Sequence, residues 1–329
     1  MGNDLGHNRI QIVAIFAAAI MLVFVSIIFF RTMRYGTQDG DGNSTSEAFT
    51  ADGDRIIDNE NYDKYNVAQY DVPLNQYVKD KFVQADGRIS YENTLAGIDV
   101  SDYQKDIKWK RVKEDGIDFA IIRVGFRGYT KGGISPDGRF VQNIKGAMEN
   151  DIQVGVYFFS QAITEEEAEK EAKYVLEKVK PYDITFPIFF DWEPITHYPE
   201  GQTPRTANMQ PHEISKVTKA FCDEIAKQGY TAGYYTNKSM GYDTYDLDLL
   251  ADYDVWYAEY QNFPSFYFHF DMWQYSESAT IKGIEGPVDM NISFKTYEKA
   301  QETSVDNEMS ELSGETEESS DVSSETNSG

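Results

Sequence analysis

The residues best suited to chemistry are acidic side chains that follow short apolar runs. Asp191 and Glu193 end the run in FFDWEP, Asp99 lies in GIDVS, and Asp289 lies in VDMN. Asp191 and Glu193 are two residues apart, so on a β-strand both side chains point to the same side. Crowding raises the pKa of one carboxyl group of such a pair and keeps it protonated as a general acid. Paired carboxyl groups of this kind cleave glycosidic bonds.

The same predicted strand ends carry aromatic side chains. They are Tyr157, Phe159, Tyr235, Trp256, Tyr257 and Trp273. Aromatic rings present apolar faces on which sugar rings stack, so we predict that these six residues line a sugar-binding groove. No histidine, cysteine or lysine falls at a predicted strand end. We therefore expect neither a metal nor a cofactor in this site.

Residues 96–300 alternate short apolar runs with amphipathic stretches, which is typical of βα units. Thr164 with Glu167 predicts a helix start, and Gly229 predicts the end of a second helix. In (β/α) barrels the chemistry lies at the C-terminal ends of the strands. We predict an α/β fold, a TIM-like (β/α) barrel whose last three strands lack long helices between them. The predicted strands are 97–100, 119–124, 154–159, 187–191, 230–235, 255–258, 272–274 and 288–291.

Charge and composition exclude several classes of protein. The chain has 329 residues and a formal net charge of −25, which argues against nucleic acid as a partner. The four histidines show no paired metal-ligand spacing, and a single cysteine excludes an intramolecular disulfide. We expect that cysteine, Cys222, to be an inert packing residue in a helix. Residues 301–329 contain acidic but no basic residues, which predicts a disordered acidic tail.

Residues 10–30 form an apolar run in which only Gln11 and Ser26 are polar. As a helix the run spans ~31 Å, which matches a bilayer core. It ends without a small-residue cleavage site, so we predict one uncleaved transmembrane helix after a short stub, 1–9. Residues 31–95 are predicted to be a stalk, with 66–95 apolar enough to pack in part on the barrel domain, 96–300.

An ordered series of motifs runs through the barrel region: GIDVSDYQ, FAIIRVGFRG, VGVYFFS, FFDWE, AGYYTN, VWYAEY, MWQY and VDMN. By these motifs residues 96–298 resemble glycoside hydrolase family 25, the muramidases. The resemblance implies eight strands with five helices, and cleavage of the β-1,4 bond between N-acetylmuramic acid and N-acetylglucosamine. It implies Glu193 as the general acid, with Asp99, Asp191 and Asp289 as accompanying acids. Family members often carry Trp after the Ser of the first motif, where this chain has Asp102.

The resulting hypothesis is a membrane-anchored muramidase that acts on glycan strands of the cell's own wall. Peptidoglycan lies outside the membrane, so the barrel is expected to be extracytoplasmic, although the charges flanking residues 10–30 do not decide the orientation. The alternative is a non-catalytic, membrane-anchored peptidoglycan-binding module, against which the four acids argue. A metal- or nucleophile-dependent amidase would need His or Cys at the strand ends. The sequence does not identify a protein partner.

The spacing of Asp191 and Glu193 also predicts the stereochemistry. Two carboxyl groups on one strand do not easily lie on opposite faces of a sugar with a water between them, so we expect retention of configuration. The alternative is inversion, with Asp99 or Asp289 across the barrel mouth as the base that activates the water. The 2-acetamido group of the substrate offers an internal nucleophile that Asp191 would orient. A double displacement through a covalent glycosyl ester remains an alternative at this point.

Overall fold

The computed structural model describes the backbone of residues 48–49, 55–59 and 62–297, and the side chains of residues 68–297. The predicted stub, anchor and acidic tail lie outside the described residues, as do residues 31–47, 50–54 and 60–61 of the predicted stalk. Within the described ranges, no helix is long and apolar enough to cross a membrane.

Eight strands of the described chain close into a barrel, and helices lie between the earlier ones. Before the barrel come an antiparallel sheet of β1 (Ala48–Phe49), β2 (Arg55–Asn59) and β3 (Tyr62–Val67), and a hairpin of β4 (Val83–Ala85) and β5 (Arg88–Ser90). The barrel strands are β6 (Leu95–Val100), β7 (Phe119–Arg127), β9 (Gln153–Ser160), β10 (Ile188–Trp192), β11 (Ala232–Asn237), β12 (Asp254–Ala258), β13 (Met272–Ala279) and β14 (Val288–Ser293). A short strand, β8 (Ile134–Pro136), pairs with the end of β7.

The described helices number five, as the resemblance implied. They are α1 (Trp109–Glu114), α2 (Phe140–Met148), α3 (Glu165–Val179), α4 (Pro211–Ala226) and α5 (Lys238–Asp243). No described helix lies between β12, β13 and β14. The prediction of an irregular barrel with eight strands and about five helices is therefore confirmed.

One strand runs against the others. Neighbouring barrel strands from β6 to β13 are parallel, whereas β14 is antiparallel to both β13 and β6. The pattern of apolar runs predicted the position of β14 but not its direction. A strand that follows its neighbour without a crossover helix can return in the opposite direction, and β13 and β14 do so.

The two helices marked in the sequence begin and end as expected. Thr164 accepts a hydrogen bond from the backbone N–H of Glu167, which caps α3. The carboxylate of Glu167 accepts a hydrogen bond from the backbone N–H of Ile163, one residue before the cap. Gly229 follows α4 at φ +81°, a conformation that favours glycine. Cys222 in α4 is buried and its thiol donates to the carbonyl of Gly233, consistent with a packing role.

Side chains alternate between the inside of the barrel and an outer layer beneath the helices. The inner cluster includes Phe119, Ile121, Phe186, Phe189, Trp256 and Met272. Glycines in the strands leave space for these rings, since a Cβ on Gly97 would lie 2.2 Å from Phe119. The lower interior is thus a packed apolar core, and polar side chains occupy the mouth above it.

Residues 74–91 cover the outer face of the strands that lack helices. Tyr77 stacks on Phe294 with ring centroids 3.8 Å apart, and Phe82 packs edge-on against Trp273 of β13 at 5.5 Å. Ile89 is buried in the outer core, and Asn75 donates to the carbonyl of Phe266. This segment, which we call the covering segment, takes the place of the missing helices.

Candidate active site

Four carboxyl groups meet at one mouth of the barrel. Asp99 lies near the end of β6, Asp191 on β10 and Glu193 one residue after that strand. Asp289 lies at the N-terminal end of β14, not at a C-terminal end as the sequence interpretation assumed. Because β14 is antiparallel, this end reaches the same mouth, where Asp289 is paired directly opposite Asp99.

Asp191 and Glu193 project into the mouth from one strand end. Phe190 and Trp192 belong to the outer core cluster, so the alternating residues face inward. Asp191 is 6% exposed, and its Oδ1 has no hydrogen-bond partner among the described residues. A buried oxygen without a donor is costly, so a substrate N–H or O–H that reached Oδ1 would relieve that cost.

Burial is the largest cause of a raised pKa at all four acids. The pKa of Glu193 rises to about 7, because the charge of Asp99 adds to burial. The pKa of Asp191 rises well above its ordinary value through burial and then through the charges of Glu193 and Asp99. The cluster therefore retains protons near neutral pH, and Glu193 can serve as a proton donor there.

Asp99 is the most firmly held of the four acids. Its Oδ2 accepts hydrogen bonds of 2.8 Å from Gln274 Nε2 and from Asn291 Nδ2. These bonds oppose the effect of burial on the pKa of Asp99. A hydrogen bond with Asp289 lowers the pKa of Asp99 and raises that of Asp289, so Asp289 holds the proton between them.

Aromatic donors fix the two amides in turn. Trp256 Nε1 donates to Asn291 Oδ1 at 2.8 Å, which leaves the Asn291 amide nitrogen directed at Asp99. The hydroxyls of Tyr235 and Tyr260 both donate to Gln274 Oε1, at 3.2 and 3.0 Å. The sequence interpretation missed Gln274, Asn291 and Tyr260. Side chains two residues apart on a strand point to the same face, and this spacing could have predicted two of them. Asn291 lies two residues after Asp289, and Gln274 lies two residues after Met272, which faces the inside of the barrel.

Four of the six predicted aromatic residues lie on strand positions that face the inside of the barrel. Trp256 makes edge contacts with Tyr157 at 5.9 Å and Tyr235 at 5.0 Å. Trp256 is 1% exposed, so it forms the floor of the mouth and not a stacking surface. Tyr157 and Phe159 are two residues apart and lie on the same side of β9. Both are half-buried and border the opening.

The structure does not bring Tyr257 and Trp273 to the mouth, and their assignment to the groove is corrected. Both are fully buried in the outer cluster. Tyr257 stacks on Phe266 at 4.7 Å, and Trp273 Nε1 donates to the carbonyl of Glu259. Since Trp256 faces inward, its neighbour Tyr257 must face outward, and the same rule applies to Trp273 beside Gln274.

A cation at the rim was also missed. Arg123 of β7 forms ion pairs with Asp137 and Asp102, and its guanidinium lies 5.3 Å from the ring centre of Tyr103. Its charge lowers the pKa of Asp191, opposing burial. Tyr103 is 73% exposed and presents an aromatic ring at the rim. It follows Asp102, the residue at which this chain departs from the family motif.

Hydrogen bonds to the backbone fix the position of Glu193. Gln161, fully buried after β9, donates from Nε2 to the carbonyl of Glu193 at 2.8 Å. Thr206 donates to Gln161 Oε1 at 3.0 Å and ties the β10–α4 loop to the same point. Within the described part of the chain, no group of three or more His, Cys, Asp or Glu could hold a metal ion.

Clustered carboxyl groups at the mouth of a barrel are the groups that cleavage of a glycosidic bond needs. The model of the family "Glycosyl hydrolases family 25" matches residues 98–284, more than half of the chain. The chain belongs to this family and is a glycoside hydrolase.

Several known proteins are similar over most of the barrel. YegX of Escherichia coli (strain K12) is 28% identical over 222 residues, which is 65% of this chain and 75% of YegX. The autolytic lysozyme of Clostridium acetobutylicum is 23% identical over 201 residues, 60% of this chain and 55% of that protein. The solved structure of the modular autolysin LytC from Streptococcus pneumoniae is 25% identical with a TM-score of 0.55, covering 76% of this chain and 58% of that one. LytC has also been solved in complex with a synthetic peptidoglycan ligand. This chain therefore spans little more than half of the lysozyme and of LytC.

Proposed function

We propose that the protein is a muramidase that cleaves the β-1,4 bond between N-acetylmuramic acid and N-acetylglucosamine in peptidoglycan. Membership of family 25 and the likeness to an autolytic lysozyme and to LytC support this substrate. The observation that carries the proposal is Glu193, a carboxyl group with a pKa of about 7 next to the buried Asp191 at the barrel mouth. A protonated acid beside a second carboxyl group is the requirement of glycosidic bond cleavage.

In the first step Glu193 donates its proton to the glycosidic oxygen, and the C1–O bond breaks with its electron pair on that oxygen. The carbonyl oxygen of the 2-acetamido group bonds to C1 from the opposite face. Asp191 accepts the acetamido N–H through its unpartnered Oδ1 and so orients the acetamido oxygen toward C1. Asp99, ionised and fixed by two amides, adds a negative field beside C1.

In the second step the ionised Glu193 takes a proton from water, whose oxygen bonds to C1 as the bond to the acetamido oxygen breaks. Two inversions at C1 give net retention, and Glu193 regains its proton. The location of Asp191 and Glu193 at one strand end supports this path, because an inverting enzyme needs ~6.5–9.5 Å between acid and base for a water.

We also propose that residues 10–30 anchor the protein and that the barrel is extracytoplasmic. The support is the uncharged run of 21 residues and the location of peptidoglycan outside the membrane. Protease added to intact protoplasts should remove the barrel. Complete protection of the barrel in sealed protoplasts would overturn this topology.

The activity is tested by incubating the full chain with purified peptidoglycan and identifying the new reducing ends. We expect N-acetylmuramic acid at the reducing end, released first as the β-anomer in proton NMR. Glu193→Gln should lose ~10²–10⁴-fold in rate while it still binds glycan. The exposed Glu285→Gln is the matched control and should leave the rate unchanged.

Three results would contradict parts of this scheme. Binding without any release of reducing ends by the unaltered protein would favour the binding module. An initial α-anomer would refute retention. A glycosyl ester trapped on Asp191 or Asp99 would refute participation of the acetamido group.

A further inference from the structure

The general acid lies one residue beyond the end of its strand. The pairing of β9 with β10 ends at Ser160 and Trp192, so Glu193 has no paired position on β9. The side chain of Gln161 supplies the next hydrogen bond, from Nε2 to the carbonyl of Glu193. Gln161 itself follows the end of β9. The position of the acid therefore depends on the contacts that fix segment 160–163.

Two glutamates of α3 hold this segment. Ser160 Oγ donates to Glu171 Oε2 at 2.7 Å and accepts from the backbone N–H of Ala162 at 3.0 Å. Glu167 Oε2 accepts from the backbone N–H of Ile163 at 3.0 Å. Glu167 and Glu171 are four residues apart, so they lie on the same face of α3. Both ends of the segment are thus bound by side chains from one face of one helix.

Two arginines bind the same glutamates from the other side. Arg127, at the end of β7, donates from Nε to Glu171 Oε1 and from Nη2 to the carbonyl of Glu167. Arg205, in the loop between β10 and α4, donates to Glu167 Oε1 at 2.7 Å. These four side chains form a network with two positive and two negative groups, and it joins β7, α3 and the loop that follows the general acid.

Stability alone does not explain this network. Burial raises the pKa of Glu171 to about 7, although the charge of Arg127 opposes the shift. The folded protein therefore holds this carboxylate at a cost, and a buried ion pair in general adds little net stability. A hydrogen-bonded buried network instead holds its members in one arrangement. Thr206, next to Arg205, donates to Gln161 Oε1 at 3.0 Å, so the network ends at the residue that binds the acid.

We propose that Glu171 is a positioning residue for the general acid Glu193, an inference that rests on the proposed muramidase function. Glu171 acts through Ser160, which fixes the segment that carries Gln161. Proton transfer to the glycosidic oxygen needs a donor within hydrogen-bond reach, and a displacement of ~1 Å can cost ~10²-fold in rate. Arg127 supplies the opposite charge that Glu171 needs in its buried position.

The test is Ser160→Ala, which separates Glu171 from the segment and leaves the ion pair of Arg127 with Glu171 in place. We expect kcat on soluble glycan strands to fall about ten-fold with KM nearly unchanged, because the acid is displaced while the groove stays intact. Glu171→Gln keeps the side-chain volume but offers one acceptor oxygen to two donors, so it should show the same split if Ser160→Ala does not fold. An unchanged kcat, or a loss confined to KM, would overturn the proposal.

Ser215→Ala is the matched control. Ser215 in α4 is also a fully buried serine whose Oγ accepts a backbone N–H, that of Asp246 at 2.9 Å. Its hydrogen bonds join α4 to the loop after α5 and do not reach segment 160–163. Ser215→Ala should lower Tm about as much as Ser160→Ala and leave kcat unchanged. Equal losses of kcat in the two variants would show that lost stability, and not the position of the acid, lowers the rate.

A double-mutant cycle tests the route. If Glu171 acts through Gln161, then Ser160→Ala should cause no further loss of kcat in a chain that already carries Gln161→Leu. Multiplied losses in the double variant would show that Ser160 affects the rate by another route and would refute the proposed one.

Failure of the muramidase proposal gives a different result, namely no cleavage by the unaltered chain, and thermal melts then test the positioning. Glu193→Gln should raise Tm at pH 8, since the fold resists ionisation of this carboxyl group. In a chain that carries Ser160→Ala this gain should fall by about half or more, because a displaced Glu193 reaches solvent. An equal gain in the two backgrounds, or none in either, would refute the positioning role.

Discussion

Replacing Glu193 by glutamine should stabilise the protein while it abolishes activity. The fold raises the pKa of this carboxyl group from 4.5 to about 7, so the folded state resists its ionisation. Below pH 4.5 Glu193 is protonated in both the folded and the unfolded state, so its raised pKa does not change the free energy of unfolding. As the pH rises from 4.5 toward 7, the unfolded state releases the proton more readily, and the folded state loses stability. At 1.36 kcal/mol per pKa unit, the loss reaches ~3 kcal/mol at pH 7–8 but only ~1 kcal/mol at pH 5.

Glutamine is neutral at every pH and escapes this loss. For a domain of this size 1 kcal/mol corresponds to ~2–4 °C in Tm, so Glu193→Gln should melt up to ~6–12 °C higher than the unaltered protein at pH 8. This is an upper limit, because Asp99 and Asp191 share the charge of the cluster. Thermal melts from pH 5 to 8 measure the effect, with the exposed Glu285→Gln as the control for removal of one charge. A lower Tm at pH 8, or a difference that does not depend on pH, would refute the reasoning.

Three further predictions concern the site and its support. Burial and the charge of Asp99 together raise the pKa of Glu193, and Asp99→Asn removes that charge. The alkaline limb of the pH profile of kcat/KM should therefore move to lower pH. An unmoved limb would show that Asp99 does not raise the pKa of Glu193. Gln161→Leu should lower kcat ~10–100-fold on soluble glycan strands with little change in KM, because Glu193 loses its backbone anchor; an equal kcat would show that the anchor is dispensable. A fragment 96–300 lacks the covering segment, so Phe82 and Ile89 no longer cover β13. It should be insoluble or melt more than 10 °C below a fragment 68–300. Equal melting temperatures of the two fragments would show that the segment adds no stability.

The sequence was sufficient to predict the barrel because each strand is a short apolar run bounded by polar residues. The run at 119–124 and the run at 188–190 are buried on both faces, which is typical of strands covered by helices outside and packed rings inside. Asp99, Asp191 and Glu193 were predictable for the same reason, whereas Asp289 lies at the start of its strand. An acidic residue that directly follows a buried run must meet solvent, a partner or a substrate at the strand end.

The contacts that orient those acids were not predictable, since they join distant parts of the chain. Gln274 reaches Asp99 across 175 residues and Asn291 reaches it across 192, and neither pairing leaves a local signal. The direction of β14 likewise depends on the absence of a crossover, which a list of strands does not show. Tyr257 and Trp273 are a different case, because strict alternation along β12 and β13 assigns both to the outer face.

The covering segment also determines where the rest of the chain joins the barrel. Pro73 accepts from His269 N–H and Leu74 bridges to Phe268, just before the start of β13, so the chain arrives at the end of the barrel opposite the acids. Tyr297 lies at the same end, where its hydroxyl donates to Asp254 at the first residue of β12. Pro73 and Tyr297 therefore both lie at the end of the barrel opposite the acids. For the proposed anchor this geometry has a direct consequence: a tether attached at the far end of the barrel lets the carboxyl groups face away from the membrane, toward the wall.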